Sequence, residues 1–155
     1  IGLGIPAEPL FRSSYRKQNL NAKLISRAVA DKTGTREFYV NTGKNKGLHS
    51  LQPYRGRDVI KVRTVSFQEV LERYKPQLVK IDIEGGEYGL NLNLPEYVEA
   101  ICIEIHLTAK GHRSLGKALT KRLAEDFPYI LHEAHITDKN WTTLFIGKRK
   151  ENINE

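Results

Sequence analysis

Residues 78–87 place three acidic side chains and two glycines at the end of one short apolar run. Asp82 and Glu84 are two positions apart, so on an extended chain their side chains point to the same side. The glycines that follow allow the backbone to turn sharply and to approach a ligand closely, and Glu87 comes directly after them. Carboxylates grouped in this way can position a polar group or exchange a proton with it.

Helix capping and magnesium binding can also account for acids in this segment. Any single acidic residue after a strand can cap the next helix, and oxygen ligands of this kind suit magnesium. Three acids and two glycines within six positions favour a functional site over helix capping. The spacing does not establish a metal site, and we assign no metal to it.

His106 is the candidate proton carrier. It lies near the end of a second apolar run, residues 100–107, which also contains Glu104. Histidine titrates near neutral pH, so at a strand end beside acidic residues it can act as a general base. A hydrogen-bonded structural histidine explains the same residue equally well. The other histidines have no evident partners and do not form a zinc ligand set; they are His49, His112, His132 and His135.

Short apolar runs alternate with amphipathic stretches along the chain, which is typical of an α/β fold. The runs that predict strands are residues 1–7, 23–30, 36–41, 58–64, 78–83, 100–107, 129–134 and 141–146. The last two flank a turn at Asp138 and are predicted to form an antiparallel hairpin. Ligands of α/β sheets bind beyond the carboxyl ends of the strands, so we expect Asp82, Glu84 and His106 to meet at one edge of the sheet.

Three helices are predicted, and the clearest begins after Ser66. Ser66 and Glu69 have the spacing of a capping box, in which the serine hydroxyl accepts from the Glu69 amide while the glutamate reaches back. Apolar residues at helical spacing follow until Pro76 ends the helix. The other two helices are predicted over residues 10–20 and 114–127, the last with inward residues Leu115, Ala118, Leu119, Leu123 and Phe127.

Residues 42–56 are polar, with three glycines, one proline and several basic side chains, and predict a surface loop. Loops of this length without regular structure are uncommon in compact domains and often serve as lids or binding segments. We therefore expect this loop to contribute to function.

The 155-residue chain carries 25 basic and 18 acidic side chains, a formal net charge of +7. Nucleic acid, anionic lipid or a phosphorylated substrate can exploit this charge, but the basic residues are scattered apart from one dense run at residues 148–150. No apolar run approaches the roughly 20 residues of a membrane helix, and a single cysteine, Cys102, excludes an internal disulfide. We expect one cytoplasmic domain with no membrane partner.

Residues 79–87, Val-Lys-Ile-Asp-Ile-Glu-Gly-Gly-Glu, resemble the signature of the FkbM-type methyltransferases. That signature reads lysine, apolar, Asp, apolar, Glu-Gly, small, Glu. Four further segments are similar to segments of the same family and occur in the same order along the chain. They are residues 26–34, 37–40, 64–67 and 102–106. The resemblance extends over residues 8–146, nearly the whole chain.

The resemblance implies a Rossmann-like methyltransferase sheet, mostly parallel with a C-terminal antiparallel hairpin, and S-adenosylmethionine as the cofactor. It places Glu8 at the end of the second strand, where a carboxylate accepts hydrogen bonds from the ribose hydroxyls. Arg27 and Ala28 match the position near the adenine, and Asp82 is implied to contact the cofactor as well.

The catalytic residues implied by the resemblance are Asp82, Glu84, Glu87 and His106. Asp82 and Glu84 would orient the cofactor amine or the acceptor, while Glu87 and His106 would position or deprotonate the acceptor. The implied reaction is O-methylation of a hydroxyl on a small molecule or a glycan. Two alternatives stay open: a basic domain that binds or modifies nucleic acid, and a non-catalytic remnant of the fold.

The family pattern begins with a strand and a glycine-rich turn that hold the methionine part of the cofactor. No room for them remains before Glu8, and the chain contains no methionine. We expect an N-terminally incomplete methyltransferase-like domain over residues 1–147, with its first strand missing, and a polar tail over residues 148–155. A protein that begins at Ile1 is then expected to bind S-adenosylmethionine weakly or not at all.

Overall fold

The computed structural model describes residues 23, 25–41, 49–53 and 56–150, so the strand and the helix predicted before residue 21 lie outside the described residues. This part of the chain contains seven strands, two α-helices and one short 3-10 helix at Gly86–Gly89. The strands and α-helices are β1 (Ala28–Ala30), β2 (Gly34–Val40), β3 (Asp58–Ser66), α1 (Phe67–Tyr74), β4 (Leu78–Ile81), β5 (Ala100–His106), α2 (His112–Asp126), β6 (Tyr129–His132) and β7 (Thr142–Lys148). Neither of these helices is long and apolar enough to cross a membrane.

The first three strands form one sheet in the order β1-β3-β2. β3 lies in the middle, parallel to β1 with Ala28 opposite Thr64, and antiparallel to β2 with Phe38 opposite Ile60. Because alternate residues of a strand face the same side, Phe38 and Val62 pack with Ala28 into a small core on one face of this sheet.

The other four strands form a second sheet in the order β4-β5-β7-β6. β4 and β5 are parallel, and β7 lies between β5 and β6 and is antiparallel to both. The strands β4, β5 and β6 therefore run in one direction. The antiparallel pairing of β6 with β7 confirms the predicted C-terminal hairpin.

The architecture is mixed α/β, and the expected mostly parallel sheet is not what the described residues form. Two of their five strand pairs are parallel and three are antiparallel. The antiparallel pairs β2–β3 and β6–β7 each join consecutive strands, and a loop suffices to connect antiparallel neighbours, whereas parallel neighbours need a longer crossover. No strand pair joins the two sheets within the part of the chain that the structure describes.

The main core lies between the four-stranded sheet and the two helices. Its buried side chains include Val79, Ile81, Ile101, Ile103, Ile105, Leu71 and Leu123. Each such side chain contributes roughly 1.5–3 kcal/mol by leaving water. The isoleucines of β5 alternate with Glu104 and His106, so burying the isoleucines directs these two polar residues to the opposite side of the strand.

The N-terminus of α1 is capped as predicted, with one difference. The Ser66 hydroxyl accepts from the Glu69 amide at 3.5 Å. The Glu69 carboxylate does not reach back to the Ser66 amide but accepts from the Thr33 hydroxyl at 2.6 Å, and the Ser66 amide donates to that hydroxyl at 2.9 Å. Thr33 thus supplies the second half of the cap from the turn after β1.

Helix α2 turns a different face inward from the one predicted near its start. Leu123 is buried as expected, but Leu115 and Ala118 are exposed. The inward residue is Gly116, where an added Cβ would lie 2.9 Å from the Leu107 side chain. Apolar periodicity favoured the larger side chains for burial, whereas the close approach of the helix to the sheet admits only glycine at this position.

Gly147 in β7 gives a prediction about this packing. An added Cβ there would lie 2.9 Å from the Phe127 Cβ and 3.1 Å from the Phe127 carbonyl oxygen. Because a backbone oxygen cannot move aside easily, we expect Gly147→Ala to lower the free energy of unfolding by about 1–3 kcal/mol, measured by urea denaturation. Gly34→Ala in β2 is the control, since a Cβ there meets nothing within 4 Å. Equal stability of the two variants would contradict this packing.

Candidate functional site

The strand β4 ends at Ile81, and residues 82–87, here called the acidic turn, carry the chain away from the sheet. Glu84 has a φ of 52° and Gly85 a φ of 90°, so two successive residues occupy the left-handed region. Glycine adopts this region freely, whereas a residue with a Cβ loses roughly 1–2 kcal/mol there. The 3-10 helix at Gly86–Gly89 begins within this turn.

His106 ends β5 and lies between carboxylates on both sides of its ring. Its Nε2 atom is 3.3 Å from an oxygen of Glu84 and 3.9 Å from an oxygen of Glu104. Its Nδ1 atom is 3.4 Å from Oε1 of Glu87. The side chain of His106 is 5% exposed and that of Glu87 is 0% exposed. Both ring nitrogens therefore lie near carboxylates, although the buried Nδ1 atom has no hydrogen-bond partner among the described residues.

Asp82 adds a carboxylate from the solvent side of this group. One donor atom from each of Asp82, Glu84 and His106 lies within 4.8 Å of the others. The Lys80 ammonium group is 3.5 Å from Asp82, and its side chain is largely exposed. Oxygen and nitrogen atoms at this spacing can accept hydrogen bonds from a hydroxyl or an ammonium group. The same atoms can also be ligands of a cation. Exposed acidic groups are common without an ion, and we assign no metal here.

Glu87 and Tyr88 hold the end of β5 from the 3-10 helix. Oε1 of Glu87 accepts from the His106 amide at 2.7 Å, and the Tyr88 hydroxyl donates to the His106 carbonyl at 2.8 Å. Burial, reinforced by the charge of Glu87, raises the pKa of Tyr88, so its hydroxyl stays a donor. The Oε2 atom of Glu87 is buried and has no hydrogen-bond partner among the described residues. These two contacts fix the backbone of His106.

The surroundings shift the pKa values of His106 and Glu84. Burial lowers the pKa of His106, but the adjacent Glu87 and the charges of Glu84 and Glu104 outweigh it, so the pKa lies above 6.5. Burial raises the pKa of Glu84, His106 opposes this, and Asp82 reinforces it. Both shifts favour the protonated form, so this pair retains a proton at pH values at which the free side chains would release it.

Two contributing residues were not singled out by the sequence analysis. Glu104 precedes His106 by two positions, and the same spacing that grouped Asp82 with Glu84 would have identified it. Ser50 lies in the loop that was expected to be functional, and its hydroxyl donates to the Glu84 carbonyl at 2.7 Å. No sequence pattern links Ser50 to the acidic turn, because this contact depends on how the two sheets pack.

The structure brings together the four candidate catalytic residues, Asp82, Glu84, Glu87 and His106.

The residues assigned to the cofactor are distributed more widely. Glu8 lies outside the described residues. Arg27 is exposed just before β1, and the side chain of Ala28 is buried in the small core of the three-stranded sheet. Of these cofactor residues, Asp82 is the one that the described structure places beside His106.

The acidic side chains and the imidazole meet at the carboxyl ends of two parallel strands. This is the edge of the sheet at which α/β proteins bind their ligands. The chain belongs to the FkbM methyltransferase family, since the family model described as Methyltransferase FkbM domain matches residues 3–127. No curated protein and no solved structure matches the chain. The family match confirms the resemblance found in the acidic segment and indicates a methyltransferase.

The raised pKa of His106 predicts that stability falls as pH rises. The folded chain holds the imidazole proton more tightly than the unfolded chain does, so this stabilisation is complete below about pH 6.5 and is lost as the pH rises through the folded pKa. Glu87→Gln removes the neighbouring charge and should flatten this decline. Urea denaturation from about pH 5 to about pH 9 measures it.

The control is Glu125→Gln, which changes an exposed glutamate on α2 and should leave the pH dependence unaltered. If Glu87→Gln and the unmodified protein lose stability with pH at the same rate, the Glu87 carboxylate does not hold the His106 proton.

Proposed function

We propose that this protein transfers a methyl group from S-adenosylmethionine to a hydroxyl oxygen of a small molecule or glycan. The observation that carries the proposal is the buried His106 imidazole, which lies between Glu84 and Glu87 at the carboxyl ends of β4 and β5. Family membership supports methyl transfer. The imidazole supports an acceptor that must lose a proton as it reacts, and a hydroxyl is such an acceptor.

The donor set on the acidic turn fits the cationic end of S-adenosylmethionine. The cofactor carries an ammonium and a sulfonium group, and Asp82 and Glu84 offer partly exposed carboxylates that would hold positive charge. When bound, the cofactor supplies a methyl group that is already activated by the charged sulfur. By family resemblance, Glu8 would bind the ribose, and Arg27 and Ala28 would lie near the adenine.

In this proposal His106 accepts the hydroxyl proton at Nε2. Glu84, 3.3 Å from that nitrogen, orients the hydroxyl and stabilises the imidazolium that forms. Glu87, whose Oε1 atom lies 3.4 Å from Nδ1, favours the tautomer with its proton on Nδ1. Because the carboxylates raise the pKa of His106, the rate should increase with pH until the imidazole is neutral.

The charge of the site supports a neutral or cationic acceptor. Four carboxylates surround a single imidazole, so the group remains negative even when His106 is protonated. A phosphate of a nucleic acid would be repelled there, although the whole chain is basic. A hydroxyl on a small molecule or glycan carries no such penalty, which favours this substrate class over nucleic acid.

The role of His106 can be tested with His106→Gln in the full-length protein. Removing the general base should lower kcat about 10²–10⁴-fold and leave the affinity for S-adenosylmethionine unchanged. Transfer of a labelled methyl group to a panel of sugars and small alcohols, with the ether identified by mass spectrometry, measures turnover. His132→Gln, which changes an exposed histidine on β6, should retain activity. Undiminished turnover by His106→Gln would remove it as the base.

The cofactor contacts can be tested by calorimetry. Glu8→Ala and Asp82→Asn should each weaken binding of S-adenosylmethionine about tenfold or more, because each removes a charge-assisted hydrogen bond. Asp138→Asn is the matched control, since its carboxylate is fully exposed and lies beside Arg113. Affinity that is unchanged in either test variant excludes that residue from the cofactor site.

A further inference from the structure

We infer that Ser50 is a positioning residue whose hydroxyl holds Glu84 in the backbone conformation that turns the Glu84 carboxylate to Nε2 of His106. The inference rests on the proposed function of His106 as the proton acceptor. It also assigns a role to residue 50 of the loop predicted to contribute to function.

Ser50 reaches the acidic turn from the three-stranded sheet. Its backbone forms an isolated antiparallel bridge with Tyr39 of β2, through hydrogen bonds of 2.8 and 3.2 Å. Its hydroxyl accepts from the Gln52 amide at 3.0 Å and donates to the Glu84 carbonyl at 2.7 Å. A hydroxyl has one proton to donate, so these two bonds define its direction. Ser50 is buried, and its hydroxyl is therefore anchored in front of the turn.

Glu84 depends on such an anchor because its conformation is unfavourable. Its φ of 52° lies in the left-handed region, which a residue with a Cβ adopts only when its surroundings impose it. The hydrogen bond from Ser50 fixes the orientation of the Glu84 carbonyl, and with it the backbone of the turn. The turn also has its own hydrogen bond, from the Gly86 amide to the Ile83 carbonyl at 3.0 Å. On our inference that bond alone does not hold Glu84, which relaxes toward an ordinary conformation when the Ser50 bond is lost. Relaxation redirects its Cβ and moves the carboxylate away from its place 3.3 Å from Nε2.

Thr64 provides a matched comparison. Its hydroxyl is also buried and also donates to a backbone carbonyl, that of Lys32, at 2.9 Å. This bond lies within the three-stranded sheet and does not involve the acidic turn. Ser50→Ala and Thr64→Val therefore each remove one buried hydroxyl-to-carbonyl bond, and Ser50→Ala also removes the bond from the Gln52 amide. On our inference, loss of the Ser50 bond alters His106 and loss of the Thr64 bond does not.

The test is an NMR titration of the His106 ring in the full-length protein without cofactor. The groups that face this ring and raise its pKa are Glu84, Glu87 and Glu104. Glu84→Gln removes one of these charges altogether. The decrease that it causes in the pKa of His106 is therefore the upper limit for any displacement of the Glu84 carboxylate. We expect Ser50→Ala to lower the pKa of His106 by a smaller amount.

Two comparisons separate positioning from general destabilisation. Thr64→Val should leave the pKa of His106 unchanged. Ser50→Ala should lower it in the unmodified protein and have no further effect in the Glu84→Gln background, because the two changes act through one carboxylate. If Ser50→Ala does not fold, Ser50→Cys keeps the size of the side chain with a much weaker donor and should give the same result.

An unchanged pKa of His106 after loss of the Ser50 hydroxyl would overturn the inference, as would an equal decrease with and without the Glu84 carboxylate. The titration requires neither cofactor nor turnover. Its failure can therefore be distinguished from failure of the proposed methyl transfer, which the turnover of His106→Gln tests separately.

Discussion

The parallel pairing of β4 with β5 is the constraint on which the candidate site depends. Ile81 lies opposite Ile103, so the residues that follow β4 emerge beside the last residues of β5. Burial of the isoleucines on the core side directs Glu104 and His106 to the other side of the strand. Packing of the apolar core thus fixes the register of these strands, and the register brings the carboxylates and the imidazole together. A slip of one residue would turn these side chains to the wrong face.

The acidic turn keeps features that cost stability. Glu84 occupies the left-handed region, and Oε2 of the buried Glu87 lacks a hydrogen-bond partner among the described residues. Taking Glu87 and His106 out of water is also unfavourable, although for the charged form of His106 the surrounding carboxylates outweigh this cost. A segment with a purely structural role would gain from relieving these costs. Their concentration at one sheet edge is typical of a functional site, where strain and perturbed pKa values accumulate.

Polar contacts between residues far apart in sequence complete the local motifs. The cap of α1 shows how: β1 pairs with β3 so that Ala30 lies opposite Ser66, which brings the turn after β1 to the start of the helix. The Thr33 hydroxyl can then serve both the Ser66 amide and the Glu69 carboxylate. Ser50 supplements the acidic turn in the same manner: the Gly86 amide already donates to the Ile83 carbonyl within the turn, and the Ser50 hydroxyl, from beside β2, donates to the Glu84 carbonyl.

The sequence by itself determined the α/β class, the strands of the described region, the cap at Ser66 and the grouping of Asp82, Glu84 and His106. The class, the strands and the cap follow from spacing along one segment. The grouping of the three side chains follows from a general rule, that the carboxyl ends of parallel strands share one edge of a sheet. Tertiary structure alone decided that the strands pair in a mixed arrangement, that Gly116 rather than Leu115 faces the core, and that Ser50 holds Glu84. Each of these depends on the distance between elements that are remote in sequence, which packing sets and which no local pattern encodes.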